Sequence, residues 1–220
     1  MNMACLLCLV LDHDDTVVAS TPTIHYPAFL DAMKILRPEV NWSLHEYVLY
    51  NFEPGFEAIC RDMLHLTDEE MELEGQVWRK WTSTHVPPMF PGMADLLRRY
   101  REAGGIICVA SHSSEEMIRR DYRVHCGFEP ELVFGWDLPP EKRKPAPYAL
   151  EEIMRHYGLA PDQLLMVDDL KPGWQMAQSC GVPFAFAGWG CEVEPVRDFM
   201  KKHSTHPLDT VAQLAPLLGL

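Results

Sequence analysis

The sequence lacks the long apolar segments and internal repeats that would indicate a membrane protein or a repeat protein. The longest early apolar run, Met3 to Leu11, is too short to cross a bilayer and stops at Asp12. No cationic stretch precedes this run, so we expect neither a signal peptide nor a membrane segment. Internal repeats are also absent. With 47% hydrophobic and 23% charged residues, the composition predicts a folded, soluble chain.

Positive charge is scarce. Lys and Arg total 19 against 32 Asp and Glu, which gives a formal net charge of -13. Such a surface repels phosphate backbones and anionic membranes. We therefore expect no nucleic-acid partner and no membrane partner.

The cysteines do not form a recognisable disulfide framework. There are seven, an odd number, and most lie among apolar residues. This usage is typical of a reducing compartment, so we expect a cytoplasmic protein whose cysteines are small core residues.

Four short apolar runs predict buried strands of a parallel sheet, because they are continuous rather than alternating. They are Cys5 to Leu11, Ile106 to Ala110, Leu164 to Val167 and Pro183 to Ala187. Helix-like stretches separate them, which indicates a doubly wound α/β fold. Three of the runs end in polar residues, and ligands bind beyond the carboxyl ends of such strands. We expect Asp12, Ser111 and the pair Asp168-Asp169 to converge on one site.

The distance from Asp12 to Ser111 is too long for one βαβ unit, which needs about 30 residues. Roughly 70 further residues are inserted, and they read as helices. Ser43 with Glu46 and Thr67 with Glu70 have the capping-box form that starts a helix. We predict a core domain of residues 1–18 and 89–220 and a helical cap domain of residues 19–88.

The most informative segment is Asp12-His13-Asp14-Asp15-Thr16, directly after a predicted strand. Like charges this close shift each other's pKa values or recruit a cation. Asp12 and Asp14 are two positions apart, so they can flank one reacting atom as nucleophile and as acid and base.

These residues resemble a known family. D-H-D-D-T-V after a hydrophobic strand is similar to the first motif of the haloacid dehalogenase (HAD) superfamily. Three further motifs follow in order: Ser111 resembles the second, Lys144-Pro145-Ala146-Pro147 the third, and Val167-Asp168-Asp169 the fourth. Phe90-Pro91-Gly92-Met93 resembles the phrase after the helical cap in the phosphoglycolate-phosphatase-like branch. The resemblance implies a Rossmann-like HAD core with an inserted cap.

The resemblance also implies a role for each of these residues. Asp12 would attack phosphorus, Asp14 would exchange protons, and Ser111, His112 and Lys144 would hold the phosphoryl group. Mg²⁺ is the implied cofactor. Its implied ligands are the carboxylates of Asp12 and Asp169 and the backbone carbonyl of Asp14, with Asp168 as an outer or alternative ligand.

Three positions depart from the family pattern. Asp15 stands where glycine is most frequent, although Asp tolerates a left-handed backbone better than most residues. His112 follows Ser111 where Asn is common. Gly173 occupies the place of a second Asp, so the fourth motif resembles an Asp-Asp variant.

Several other residues have two open interpretations. Ser20 and His25, just beyond the first predicted boundary between core and cap, either touch the substrate or belong to a helix start and a surface. In the cap, Trp78 and three other large residues either line a pocket or form the core between helices; the others are Met63, Met71 and Trp81. Arg119, Arg120 and Arg123 are predicted to form a solvated helix face.

The leading hypothesis is a Mg²⁺-dependent phosphatase that acts on a small phosphorylated metabolite through an aspartyl phosphate. A sugar-phosphate mutase shares all four motifs and is the alternative. An inactive, regulatory HAD fold is a further one, although Asp12, Asp14, Ser111, Lys144 and Asp169 are all retained. We expect a monomer or a weak homodimer.

Overall fold

A computed structural model describes residues 6–220 of the chain. Its centre is one sheet of six parallel strands in the order β3-β2-β1-β4-β5-β6. The strand bounds are β1 Cys8–Leu11, β2 Ile106–Ala110, β3 Leu132–Phe134, β4 Leu164–Asp168, β5 Phe184–Ala187 and β6 His206–Leu208. The doubly wound parallel sheet is thereby confirmed.

All four predicted strands are present, with small changes at their ends. Cys5 lies outside the described residues, and β1 begins at Cys8. β4 extends one residue further than expected and includes Asp168. The edge strands β3 and β6 were not predicted. Each has three residues: the apolar run of β3 is too short to distinguish it from its surroundings, and β6 includes Pro207.

Helices cover both faces of the sheet and create two hydrophobic layers. Alternate strand residues point to opposite faces, so Leu9 and Leu11 belong to one layer while Cys8 and Val10 belong to the other. α5 and α6 pack on the first face, and α7, α8 and α9 on the second. Their bounds are α5 Met93–Glu102, α6 Glu115–Cys126, α7 Tyr148–Tyr157, α8 Lys171–Cys180 and α9 Glu194–His203. The sheet is therefore buried on both sides.

Between β1 and β2 the chain is helical. A π-helical turn at Thr21–His25 leads into α1 Tyr26–Leu36, followed by α2 Leu44–Phe52, α3 Phe56–Ala58 and α4 Asp68–Thr84. Both predicted capping boxes form, at the starts of α2 and α4. A hydrophobic cluster around Phe29, Tyr47 and Ile59 consists of residues from this inserted segment alone.

The two ends of the inserted segment run side by side. Val18 and Met89 form an antiparallel bridge, and the Ala19 N–H donates to the Pro88 carbonyl at 2.9 Å. The Phe90 N–H donates to the Val17 carbonyl at 3.0 Å. The two chain crossings between the sheet and the inserted helices are therefore held together as a short ribbon.

No helix of the described part of the chain is both long and apolar enough to cross a bilayer.

Candidate active site

The ends of β1 and β4 bring Asp12, Lys144 and Asp168 into contact. The Lys144 ammonium donates to Asp12 Oδ1 at 2.8 Å and to Asp168 Oδ2 at 2.6 Å. The three side chains are almost fully buried, with exposed fractions of 6%, 8% and 1% for Lys144, Asp12 and Asp168. Burial alone would lower the pKa of Lys144, but the two carboxylates raise it above its ordinary value, so the lysine stays charged.

The adjacent residues Asp168 and Asp169 differ in what their oxygens contact. Asp168 uses Oδ2 for Lys144 and accepts the Leu170 N–H on Oδ1 at 2.8 Å. From the described residues, Asp169 accepts only a long hydrogen bond, 3.5 Å, which the Thr16 hydroxyl donates. Asp169 therefore retains more capacity to bind a further partner.

Gly173 explains one departure from the family pattern. A Cβ at this position would lie 2.1 Å from Asp168 Oδ2. The Asp168 side chain thus occupies the space into which a side chain at position 173 would project. Asp168 can therefore keep this conformation only with glycine at position 173.

Asp12, Asp168 and Asp169 form the group of described residues that could hold a metal ion, since one ligand oxygen from each lies within 4.8 Å of the others. Burial raises the pKa of Asp168 to about 7, against the opposing charge of Lys144. Burial, together with repulsion by Asp168, Asp15 and Asp12, holds the pKa of Asp169 well above its ordinary value. The cluster is short of positive charge, and its oxygen donors suit a hard divalent cation.

Asp14 has a separate set of partners. His25 Nε2 lies 3.0 Å from its Oδ1, and the Ser113 hydroxyl donates to its Oδ2 at 2.6 Å. Burial acts to raise the pKa of Asp14, but the charge and hydrogen bond of His25 outweigh it, so this pKa lies below its ordinary value. Both oxygens of Asp14 are occupied in this state of the protein.

His25 is held in turn by Trp78 of α4. The Trp78 indole N–H donates to His25 Nδ1 at 3.0 Å, and the two rings are stacked. Because Nδ1 accepts this bond, the ring proton belongs on Nε2, facing Asp14. Burial acts to lower the pKa of His25, but the charge and hydrogen bond of Asp14 outweigh it, so this pKa lies above its ordinary value. Trp78 opposes protonation, because a doubly protonated ring cannot accept the indole N–H.

The second motif lies at the end of β2. Ser111 is buried, and its hydroxyl accepts the Ser113 N–H at 3.3 Å. His112 Nε2 lies 3.0 Å from the Lys144 carbonyl oxygen, to which it can donate. The structure thus brings all the predicted site residues to one edge of the sheet, namely Asp12, Asp14, Ser111, His112, Lys144, Asp168 and Asp169.

Asp15 has the left-handed backbone expected at its position. Its φ is 54°, in a region that glycine and, less often, aspartate adopt. Its Oδ1 accepts the Thr21 N–H at 3.1 Å, which ties the turn to the start of the inserted segment. A Cβ on Gly190 would approach the Asp15 carbonyl oxygen to 1.7 Å, so the loop after β5 closes directly over this turn.

A buried pair behind the first motif was missed from the sequence. His13 Nε2 lies 3.0 Å from Asp121 Oδ2, and both side chains are 2% exposed. Arg120 bonds Asp121 and also donates to the carbonyls of Thr82 and His85 at the end of α4. The prediction of a solvated face is therefore wrong for Arg120, which connects α6 to the inserted segment. Neither contact has a sequence signal, because the first motif, α4 and α6 approach one another only in the folded chain.

The four large residues of the inserted segment, for which a pocket wall or a core role was expected, have different surroundings. Trp78 contacts His25, whereas Met71 packs against the cap cluster and Met63 is 40% exposed. Trp81 donates to Asp31 at 3.1 Å. Ser113 was not predicted, and its place two residues after Ser111 is the one signal that could have found it.

The space beside Asp14 is small. A cavity of about 10 Å³, the size of a single water molecule, lies between the first motif and the cap. Its walls include Asp14, Ser20, His25, Thr82 and Ser113. This space is too small for a phosphate ester.

A second contact joins the inserted segment to helices α8 and α9, which lie on the other face of the sheet from α6. The Lys171 ammonium bonds the Glu53 carboxylate and lies over the rings of Phe52 and Phe199. The Phe52 and Phe199 rings also meet edge to face, with centroids 5.4 Å apart. These contacts hold the end of α2 against α8 and α9.

Known proteins with the same arrangement identify the family. The model for haloacid dehalogenase-like hydrolases matches residues 7–181. A phosphoglycolate phosphatase of Aliivibrio fischeri is 30% identical over 115 residues, which are 50% of this chain and 49% of that protein. The match thus spans about half the length of this relative.

Solved structures agree on the fold. A haloacid dehalogenase-like hydrolase of Streptococcus pneumoniae aligns with a TM-score of 0.75 at 16% identity, over 96% of this chain and 97% of that one. CbbY from Rhodobacter sphaeroides, solved in complex with xylulose-1,5-bisphosphate, aligns with a TM-score of 0.69 at 19% identity, over 95% and 96%. By its matched family model and this fold, the chain belongs to the haloacid dehalogenase-like hydrolases.

Proposed function

We propose that the protein is a Mg²⁺-dependent phosphatase that hydrolyses a small phosphorylated metabolite through an aspartyl-phosphate intermediate. The observation that carries this proposal is the division of contacts between two neighbouring aspartates. Asp12 is anchored by Lys144, while Asp14 has its own partners, His25 and Ser113. One carboxylate is thus held as a nucleophile and the other in a proton-exchanging environment.

In the first half-reaction, Asp12 attacks phosphorus and the ester P–O bond breaks. Lys144 holds Oδ1, so Oδ2, which has no hydrogen bond within the described chain, is the attacking oxygen. When His25 withdraws with the cap, the cause of the low pKa of Asp14 is removed and Asp14 takes up a proton. Asp14 then gives this proton to the departing alkoxide, which leaves as an alcohol. The phosphoryl group then remains on Asp12 as a mixed anhydride.

In the second half-reaction, water attacks this phosphorus. Asp14, now ionised, takes a proton from the water, and the Asp12–phosphorus bond breaks to release phosphate. Both aspartates return to their starting states. Lys144, Ser111 and His112 would donate hydrogen bonds to phosphoryl oxygens.

The donor set fits Mg²⁺, because buried carboxylate oxygens whose pKa values are raised are stabilised by a cation. The carboxylates of Asp12 and Asp169 and the backbone carbonyl of Asp14 would hold it. Asp168, engaged by Lys144, would act as an outer partner. The ion would neutralise negative charge on the phosphoryl group.

The inserted segment completes the proposal. We assign residues 19–88 to a cap and residues 1–18 and 89–220 to the core. His25 and Trp78 of the cap close the space above Asp14, which favours small substrates and excludes bulk water. Six unpaired cysteines in the described chain support a reducing, cytoplasmic location.

Rapid-quench labelling tests the proposal. With a radiolabelled aryl phosphate and Mg²⁺, Asp12→Asn should form no phosphoenzyme, whereas Asp14→Asn should accumulate label on Asp12, because water activation is impaired. Label mapped to Ser111 or to a histidine would contradict the assignment. A label that persists in water and leaves only upon addition of a sugar phosphate would instead identify a mutase.

A further inference from the structure

Two series of hydrogen bonds connect the first motif to Arg120 of α6. In the first series, which lies in the core, His13 Nε2 is 3.0 Å from Asp121 Oδ2, and Arg120 Nε donates to Asp121 Oδ1 at 2.7 Å. The side chains of His13 and Asp121 are 2% exposed, so these bonds lie in a low-dielectric interior where they are stronger than in water. Because His13 stands between Asp12 and Asp14, this series ends at the backbone that carries both aspartates.

The second series passes through α4 of the inserted segment. Arg120 Nη1 donates to the Thr82 carbonyl at 2.7 Å, and the Thr82 hydroxyl donates to the Trp78 carbonyl, one helical turn earlier, at 3.1 Å. The Trp78 indole N–H donates to His25, and His25 lies 3.0 Å from Asp14. The two series therefore form a closed ring of contacts that starts and ends at the first motif and passes through Arg120.

Arg120 is suited to its place at the end of α4. The last carbonyls of a helix have no amide partner within the helix, and they carry the negative end of the helix dipole. Thr82 belongs to the last turn of α4, and Arg120 Nη2 also donates at 2.9 Å to the carbonyl of His85, the residue that follows the helix. The planar fork of a guanidinium can bond Asp121 and both carbonyls at once, which the single ammonium group of a lysine cannot do with the same geometry.

The ring of contacts borders the space beside the proposed proton-exchanging group. Arg120, Asp121 and Thr82 line the small cavity together with Asp14 and His25. A displacement of the end of α4 would therefore reach Asp14 through side chains that surround one cavity.

Building on the proposed function, we propose that Arg120 is a positioning residue for proton exchange. It fixes the end of α4 against the core and thereby sets the place of Trp78 and His25 in the closed cap. The orientation of Asp14 depends on this placement. Asp121 holds the guanidinium and joins it to the first motif, so the position of the cap and the position of the motif are set together.

Hydrogen exchange of the Trp78 indole N–H, followed by NMR, tests this without turnover. Arg120→Lys keeps a positive charge beside Asp121 but cannot bond both carbonyls. We expect the indole proton to exchange about tenfold faster in this variant, because its bond to His25 opens more often. The resonance is assigned by its loss in Trp78→Phe.

A second variant and a control accompany this measurement. The double variant Arg120→Gln/Asp121→Asn removes both charges together, so neither is left buried alone, and it should show the same faster exchange. Arg123→Lys is the matched control. Arg123 lies on an exposed part of the same helix and pairs with Glu129, so its substitution should leave the exchange rate unchanged. Circular dichroism would verify that all three proteins are folded.

Steady-state kinetics tests whether Arg120 acts through His25. Arg120→Lys should lower kcat for alkyl phosphates about threefold to tenfold and change KM less than about twofold, because the proton-exchanging group is misplaced. Aryl phosphates need less protonation and should lose less. In a His25→Ala background, Arg120→Lys should not change the ratio of alkyl to aryl rates any further, because the partner through which it acts is already gone.

Unchanged indole exchange in the two Arg120 variants would overturn the inference. So would equal losses for alkyl and aryl esters that add to those of His25→Ala, since this is the result of a purely structural contact. Failure of the proposed function is distinguishable. A protein that forms no phosphoenzyme but shows the faster exchange disproves the phosphatase mechanism and keeps the placement of the cap by Arg120. Turnover with additive effects disproves the role of Arg120 alone.

Discussion

His25 Nε2 lies 3.0 Å from Asp14 Oδ1, so a residue of the inserted segment holds the group that we assign to proton transfer. Trp78 fixes the other ring nitrogen at 3.0 Å. Asp14 must lose at least one of its present partners before it can contact a leaving group, and cap opening would remove His25. In the proposed mechanism, substrate entry and the release of Asp14 from His25 are therefore coupled in one movement of the cap.

The first prediction concerns His25. His25→Ala should lower kcat/KM for alkyl phosphates on the order of tenfold to a hundredfold, because Asp14 loses the partner that orients it when the cap closes again over the bound substrate. Aryl phosphates need less protonation and should lose less. Trp78→Phe removes the indole N–H and should cause a smaller loss in the same direction. The exposed His45→Ala is the control, and equal losses for alkyl and aryl esters would argue against a positioning role.

The second prediction separates the two aspartates of the fourth motif. Asp169→Asn should raise the Mg²⁺ concentration needed for half-maximal activity at least about tenfold, because a proposed ligand is lost. Asp168→Asn removes one of the two carboxylates that hold Lys144, so it should chiefly raise KM for the phosphate ester. Excess chelator should abolish turnover by the unaltered protein. Identical Mg²⁺ dependence of both variants would contradict this assignment.

The third prediction uses Gly173. Gly173→Ala places a methyl group in the space occupied by Asp168 Oδ2, at an ideal separation of 2.1 Å. We expect a loss in the free energy of unfolding on the order of 1 to 3 kcal/mol, together with reduced activity as Asp168 moves away from Lys144. Urea denaturation and steady-state kinetics measure the two effects. Gln175→Ala, on the exposed side of α8, should change neither quantity.

The fourth prediction concerns Glu74 of α4, a carboxylate that is 6% exposed. Burial raises the pKa of Glu74 from its ordinary value of 4.5 to about 7. Between these pH values the folded protein binds a proton that the unfolded chain has released, so ionisation of Glu74 lowers the stability as pH rises through this range. The penalty is fully present above the folded pKa and is on the order of 3 kcal/mol.

Glu74→Gln removes this ionisation. Its stability relative to the unaltered protein should therefore be higher at pH 8 than at pH 4.5, and denaturant unfolding at both pH values measures the difference. Glu72→Gln should show no such gain. A constant difference across this range would mean that Glu74 ionises at its ordinary pKa.

The sequence predicted the parts of the fold that depend on continuous apolar runs. β1, β2, β4 and β5 are buried on both faces and carry such runs, and the polar residues at their ends converge as expected. β3 and β6 each pair with one neighbouring strand and are not fully buried, so they need no long apolar run. The capping boxes of α2 and α4 were predictable because their hydrogen bonds are local.

The contacts that surround the motifs were not predictable. Ser113, Trp78 and Arg120 act through partners far away in the sequence, and serine, tryptophan and arginine are common in ordinary turns and helices. Glu74 has an unremarkable place in an acidic helix, and its burial is visible only in the folded chain.

The paired crossings at Val18 and Met89 make the whole inserted segment an enlarged hairpin loop. The ends of the segment enter and leave the sheet at adjacent positions, so the order and register of the six strands do not depend on what lies between them. The entropic cost of closing a loop grows only slowly with its length. An architecture of this kind accommodates the exchange of one insertion for another, so under the proposed function new substrate preferences can arise by changes in residues 19–88 while the residues assigned to phosphoryl transfer are kept.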